Sequence, residues 1–410
     1  FRLIIVYINF LVNKKWRSIC WLHFLLIIQC IFYNMYWIDI FYNLASIPSP
    51  SLHEEKVVTW VKDFCEKEGL HFETDNYSNV IIKLPATDST KPLMALSSHM
   101  DVVGDDTPVI PMLDGDFIKA NNRTLGGDDK FGIAAALKLL KDTKNSDLKH
   151  GGLEVVFTRD EENGMSGIHN FDFNKLNSKY VIVCDADIFG VLQISGASYC
   201  NGHVEISCKG GHSGIEIADK TKPNAAKLMA ELCNNIPQGV YYKDETGVVT
   251  SINLGGIKAG DIKVTNVLNP YAEATYSIRS ASLPKENELI ARIQDIIEEF
   301  NKKYEDIAVA KGTFKQKMPA FEKSDDTYIP EVFKRAAEKL GVKYEINSFH
   351  AGAETHIYCQ HKNAKGETFI PFLMGLADLY NMHSADEKMD YKSFLKGYKL
   401  LSQFFIEFNK

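Results

Sequence analysis

The sequence predicts an α/β fold: a mixed, mostly parallel sheet flanked by helices, with a smaller two-layer α+β unit inserted into it. Three observations carry this reading. First, short apolar runs such as LEVVFT (153–158) and YVIVC (180–184) alternate with amphipathic helical stretches. That alternation belongs to a parallel sheet covered on both faces. Second, several of the runs lead into imidazole or carboxylate residues. Third, the rhythm changes between Gly196 and Tyr304, where apolar and polar residues alternate with period two.

The 410 residues are too many for one ordinary core, which makes two domains the expectation. Hydrophobic residues make up 45% and charged residues 24%, the balance of a folded globular protein. The formal net charge is -7, and no Lys/Arg tract of nucleic-acid type occurs. A DNA or RNA partner is therefore not expected. The eight cysteines are scattered without a C-x-x-C pair, which speaks against a cysteine zinc site and for thiols in a reducing, cytoplasmic compartment.

Residues 1–34 stand apart. Trp16 to Tyr33 is strongly apolar but broken by Arg17, His23 and Gln29, with Lys14 and Lys15 at its edge. A signal anchor with a basic flank is one reading. The other is a mis-called start, because the composition changes sharply near Met35. The expectation is a non-native extension, with a membrane partner only if the anchor is real.

Ile38 to Leu44 reads as a short helix, and His53 to Lys67 as a longer one with Val57, Val58, Val61 and Phe64 at helical spacing. Val80 to Leu84 and Leu93 to Ser98 are strands, the second running into His99-Met100-Asp101. Asp114 to Lys119 reads as a hairpin segment leading to the turn TLGGDDKFG, after which a helix begins. Leu153 to Thr158 ends in Arg159-Asp160-Glu161-Glu162, and Tyr180 to Cys184 ends in Asp185-Ala186-Asp187. Phe369 to Met374 is a last buried strand, followed after a loop by His383. Between them, strand, helix, two strands and the helix Pro284 to Tyr304 read as the inserted unit, residues 197–305. Residues 35–196 and 306–410 then form the main domain.

In open α/β sheets ligands bind beyond the carboxyl ends of the strands. His99, Asp128, Glu161, Glu162, Asp185 and His383 all fall on strand ends, helix starts or the loops between them. Imidazole and carboxylate without thiolate suit zinc, with cobalt or manganese as substitutes. So many ligands exceed one tetrahedral ion and suit two, sharing one carboxylate. A phosphate-binding reading of the Gly-rich turn fails, since no G-K-[ST] follows and the acids would repel phosphate.

Five motifs occur in order: SSHMDVV, TLGGDDKFGIAAAL, TRDEENGMSG, GGHSG and NMHSADEKM. On these, from about Phe41 to Asn409, the chain resembles the di-zinc exopeptidases that include peptidase T, aminoacyl-histidine dipeptidase, glutamate carboxypeptidase and aminoacylase. The resemblance implies a catalytic di-zinc domain and an inserted lid and dimerisation domain. It implies that His99 and Asp185 bind one zinc, Glu162 and His383 the other, and that Asp128 bridges them. Asp187 is the alternative to Asp185. Asp101 would orient His99, Glu161 would act as general base, and Asp129 would support from behind. On the inserted unit, His212 and Asn266 would help bind substrate, His212 often across a dimer, and Arg279 would take the substrate carboxylate.

The stretch SFHAGAETHIY (348–358) departs from peptidase T and is closer to the HAGLE pattern of the dipeptidase branch, which draws attention to His350 and Glu354. The expected function is hydrolysis of short peptides by a peptidase T-like tripeptide aminopeptidase. A dipeptidase and an N-acyl amino acid amidohydrolase are alternatives with the same metal chemistry. A non-catalytic protein of this fold should have lost Glu161 or a ligand, and none is lost.

Overall fold

The computed structural model describes residues 37–410. The expectation for residues 1–34 lies outside the described residues. Among the described residues no helix is long and apolar enough to cross a membrane.

The main sheet has eight strands in the order His71–Thr74, Val80–Leu84, Leu153–Thr158, Met94–His99, Tyr180–Ala186, Ile370–Gly375, Val191–Gly196, Glu345–Phe349. The four strands from Leu153–Thr158 to Ile370–Gly375 run parallel to one another. Leu153–Thr158 and Met94–His99 are buried along their whole length. That is why they read as continuous apolar runs and not as alternating ones. One face is covered by residues 37–45 and by the helices Gly127–Lys144, Tyr328–Leu340 and Tyr391–Phe408. Trp37 stacks on Phe394 of the last helix at 4.3 Å between ring centroids. The other face is closed by Phe171, Phe173, Ile357, Tyr358 and Phe369.

A second sheet of five antiparallel strands has its own core. Its order is Gly239–Lys243, Val249–Ala259, Tyr271–Ser280, Tyr199–Cys208, Ala308–Met318. Ala272, Ala274, Tyr276 and Ile278 alternate onto one face, where the helices Ala225–Asn235 and Leu283–Lys303 pack. The sheet takes in Ala308–Met318, which lies past the boundary expected at 305. In that strand only Ala308 and Ala310 are buried, so charged side chains mask its pattern.

A small four-stranded sheet joins Met112–Asp114, Phe117–Lys119, Lys388–Asp390 and Leu379–Tyr380. It ties the hairpin before the GGDD turn to the loop that carries His383.

Gly397 shows how closely the last helix packs. A Cβ there would stand 1.7 Å from the Leu376 carbonyl oxygen, at the exit of the Ile370–Gly375 strand. Gly397→Ala should therefore destabilise by about 1–3 kcal/mol through overpacking. Urea unfolding checks this: the midpoint should fall, and an unchanged midpoint would contradict the packing.

Candidate metal centre

The parallel strands deliver their C-terminal ends to one edge. Met94–His99 ends in His99, and Asp185 lies near the end of Tyr180–Ala186. Glu161 and Glu162 follow Leu153–Thr158, and Asp128 opens the Gly127–Lys144 helix. His383 sits on the turn between the short strands Leu379–Tyr380 and Lys388–Asp390. Asp160 and His383 both take positive φ, at 57° and 61°. Non-glycine residues of that kind concentrate where function over-determines the backbone.

These residues form two groups that share Asp128. In one, His99 Nε2 stands 3.0 Å from Asp128 Oδ1 and 3.5 Å from Asp185 Oδ1. In the other, His383 Nε2 stands 3.3 Å from Asp128 Oδ2 and 2.9 Å from Glu162 Oε1. Each group offers three ligand atoms within 4.8 Å of one another. Glu162 Oε1 is buried yet accepts no hydrogen bond, so the close His383 contact is not aligned as one. An imidazole and a carboxylate that face each other without bonding fit a shared cation. The donors are imidazole nitrogen and carboxylate oxygen, a set that fits a pair of divalent ions.

Support comes from behind. Asp101 Oδ1 lies 3.3 Å from His99 Nδ1, and the Asp101 carboxylate accepts the Glu161 N–H at 2.9 Å and the Glu162 N–H at 3.1 Å. The Ser51 hydroxyl donates to the same carboxylate at 2.7 Å. One buried acid thus fixes an imidazole and the glutamate pair together. Asp129 is fully buried and accepts the backbone N–H groups of Gly132 and His99. Glu54, Asp101 and Asp160 form a third close group of carboxylates. Glu54 is engaged by Arg159 Nε at 2.6 Å and by the Asp160 N–H at 3.1 Å, so this group braces the loop.

The electrostatics follow from burial and crowding. Burial raises the Asp185 and Glu161 carboxyls well above the usual range, helped by neighbouring acids. Burial likewise lifts Glu162 to about 6. Burial opposes charge on His99, but Asp185, Asp101 and Asp128 outweigh it and raise the imidazole strongly. The hydrogen bond to Asp128 lifts His383 to about 9. Burial would also raise Asp128, yet the bonds from His383 and His99 hold it far below the ordinary value. Burial and crowding at the edge disfavour charge on the Asp185 and Glu161 carboxyls, the facing acids favour it on the imidazoles, and divalent cations would offset the negative charge.

Asp187 joins neither group; its backbone carbonyl accepts the Leu379 N–H at 2.9 Å. His212 and Asn266 lie together on the second unit, linked by the Ser213 N–H to the Asn266 carbonyl at 3.0 Å. Arg279 lies over the Tyr199 ring at 4.7 Å. Among the described residues none of these three hydrogen-bonds or ion-pairs with the two groups. Glu387 was missed in the sequence. It accepts the N–H groups of Gly126 and Gly127 at 3.1 and 2.8 Å, so it pins the turn before Asp128. Its signal was present: it lies four residues after His383 in the same motif.

Asp101→Ala should weaken metal binding about 10–100-fold, the usual cost of losing a residue that orients a ligand. Competition with a chelator measures it. Wild-type affinity would mean that His99 and the glutamate pair hold their places unaided.

Cytosol non-specific dipeptidase of Escherichia coli is 34% identical over 211 residues, 44% of this chain and 43% of that enzyme. Peptidase T of Staphylococcus saprophyticus is 26% identical over 284 residues, 68% of this chain and 64% of that enzyme. The matched part thus spans 43% to 64% of these relatives' length, less than two thirds of either. The crystal structure of aminopeptidase PepT from Bacillus cereus superposes with a TM-score of 0.80 at 21% identity, covering 92% of this chain and 99% of that one. This last likeness shows a common fold. The model of peptidase family M20/M25/M40 matches residues 95–407, a span that holds both ligand groups and the glutamate pair, and the chain belongs to that family.

Proposed function

We propose that this protein is a metal-dependent exopeptidase that hydrolyses short peptides in the manner of a tripeptide aminopeptidase. The observation that carries the reading is the pair of ligand groups sharing Asp128. In this reading His99 and Asp185 hold one ion, Glu162 and His383 hold the other, and Asp128 serves both. Zinc is the metal that fits the donors first, with cobalt or manganese as substitutes. Bound metal supplies a water acidic enough to ionise near neutral pH and polarises the scissile carbonyl.

The chain's own groups do the rest. Glu161 takes the proton of the attacking water and returns it to the leaving amine. Its buried position keeps its affinity for a proton high, as a base needs. Asp101 holds the backbone of Glu161 and the ring of His99 in register. His212 Nδ1 accepts the Gly214 N–H at 3.1 Å, so its proton sits on Nε2 as a donor for the developing oxyanion. Asn266, beside it, assists. Arg279 has no carboxylate partner among the described residues and receives the substrate carboxylate.

His212 lies beside exposed apolar side chains. Ile215, whose N–H lies 3.3 Å from His212 Nδ1, is 83% exposed, and Val267, paired with His212, is 39% exposed, which supports a homodimer through the second unit that brings His212 to a site. A dipeptidase is the second reading, favoured by the 34% identity to the Escherichia coli enzyme. That relative is a cytosol enzyme, which also supports a cytoplasmic location.

Three measurements test the proposal. Elemental analysis after loading and dialysis should find two divalent ions per chain, and a chain that stays metal-free in excess zinc overturns it. Glu161→Gln should keep both ions and lose about 10²–10⁴-fold in turnover, whereas Glu162→Gln should release one ion. Identical behaviour of the two variants contradicts their separate roles. His212→Ala should keep the metals and lower kcat about 10²–10³-fold on di- and tripeptides. Unchanged kinetics would make the second unit structural only.

A further inference from the structure

The stretch 348–358 is not used by the chemistry above, yet it reaches under the site. Glu354 is 1% exposed, and Ser97, Thr158 and Tyr358 around it are fully buried. The Ser97 hydroxyl donates to Glu354 Oε2 at 2.9 Å, and the Tyr358 hydroxyl donates to Ser97 Oγ at 3.1 Å. The proton order is therefore fixed, from Tyr358 to Ser97 to Glu354. Glu354 Oε1 is buried without a hydrogen-bond partner. A carboxyl in such a place is costly, and a leucine would fill the space without that cost.

Its neighbours carry the catalytic groups. Ser97 lies two residues before His99 on the same strand, so both side chains leave the same face. His99 pairs in register with Thr158, which also faces the Glu354 carboxyl and lies three residues before Glu161. The Glu354 carboxyl therefore sits beneath the rung where the His99 strand and the Glu161 strand end. Its charge is felt at both Glu161 and His99.

We propose that Glu354 is a positioning residue: its carboxyl, as acceptor for Ser97, locks the ends of the two strands that present His99 and Glu161. The proposal rests on the functional reading of those two residues. The lock acts through Ser97 and the strand, not through contact with substrate. Losing it leaves the ligands present but lets the glutamate and the metal group shift against each other.

The test uses the full chain loaded with zinc and a short peptide substrate. It reads kcat and KM per metal-loaded chain. Glu354→Ala should keep two metals and a near-normal KM but lower kcat about 10–100-fold, the usual effect of a small misplacement of reacting groups. Glu354→Gln keeps an oxygen that accepts from Ser97 and should recover most of the kcat. Ser97→Ala should lower kcat as Glu354→Ala does, and the double variant should be no slower than the slower single one. A wild-type kcat in Glu354→Ala overturns the proposal, as does a Glu354→Gln variant no better than alanine. Should Glu354→Ala fail to fold, Ser97→Ala decides: a wild-type kcat there overturns the proposal as well. A wild-type chain that binds no metal and cleaves no peptide would instead defeat the functional reading itself.

Discussion

Asp128 stands between two imidazoles, with His99 3.0 Å from one of its oxygens and His383 3.3 Å from the other. Asp185 and Glu162 close on the same two rings. Two like charges 4 Å apart repel by about 4 kcal/mol at an effective dielectric of 20. Carboxylates gathered at one buried edge cannot remain together without positive charge among them. The parallel sheet creates this problem by ending its strands on one side. The same convergence makes the edge a place to hold cations.

The supporting atoms answer a second constraint, that of alignment. A metal site is only as exact as the groups behind its ligands. Here much of that support is backbone: the N–H groups of Glu161 and Glu162 on Asp101, of Gly126 and Gly127 on Glu387, and of Gly132 on Asp129. Buried acids thus bind turns to one another and leave the ligand oxygens free. The second sheet has its own core and adds none of the five grouped ligands. In the proposed function Arg279, on this sheet, and His212, on the separate short strand Gly211–His212, would supply the donors that an acid-rich centre lacks.

Much of this could be read from residues in order. The buried strands announced themselves as apolar runs because both faces are covered, and residues at or just past three of these runs, His99, Glu162 and Asp185, gather at one edge. Asp185 and Asp187 could not be separated that way, since period two gives them the same direction. The strand's end at Ala186 separates them, and only Asp185 reaches His99. Glu387 and Glu354 escaped assignment for another reason: each accepts hydrogen bonds from a turn or strand far away in sequence. Ala308–Met318 was hidden by its lysines, and the small sheet by strands of two or three residues. Where His212 would act in the proposed function depends on how units or copies meet, which no local pattern encodes.

The most direct measurement is anomalous X-ray diffraction from crystals of the zinc-loaded protein. The account predicts two zinc peaks per chain, one ligated by His99 and Asp185, the other by Glu162 and His383, with an Asp128 oxygen on each. A single peak, or a second ion that Asp128 does not touch, would contradict it.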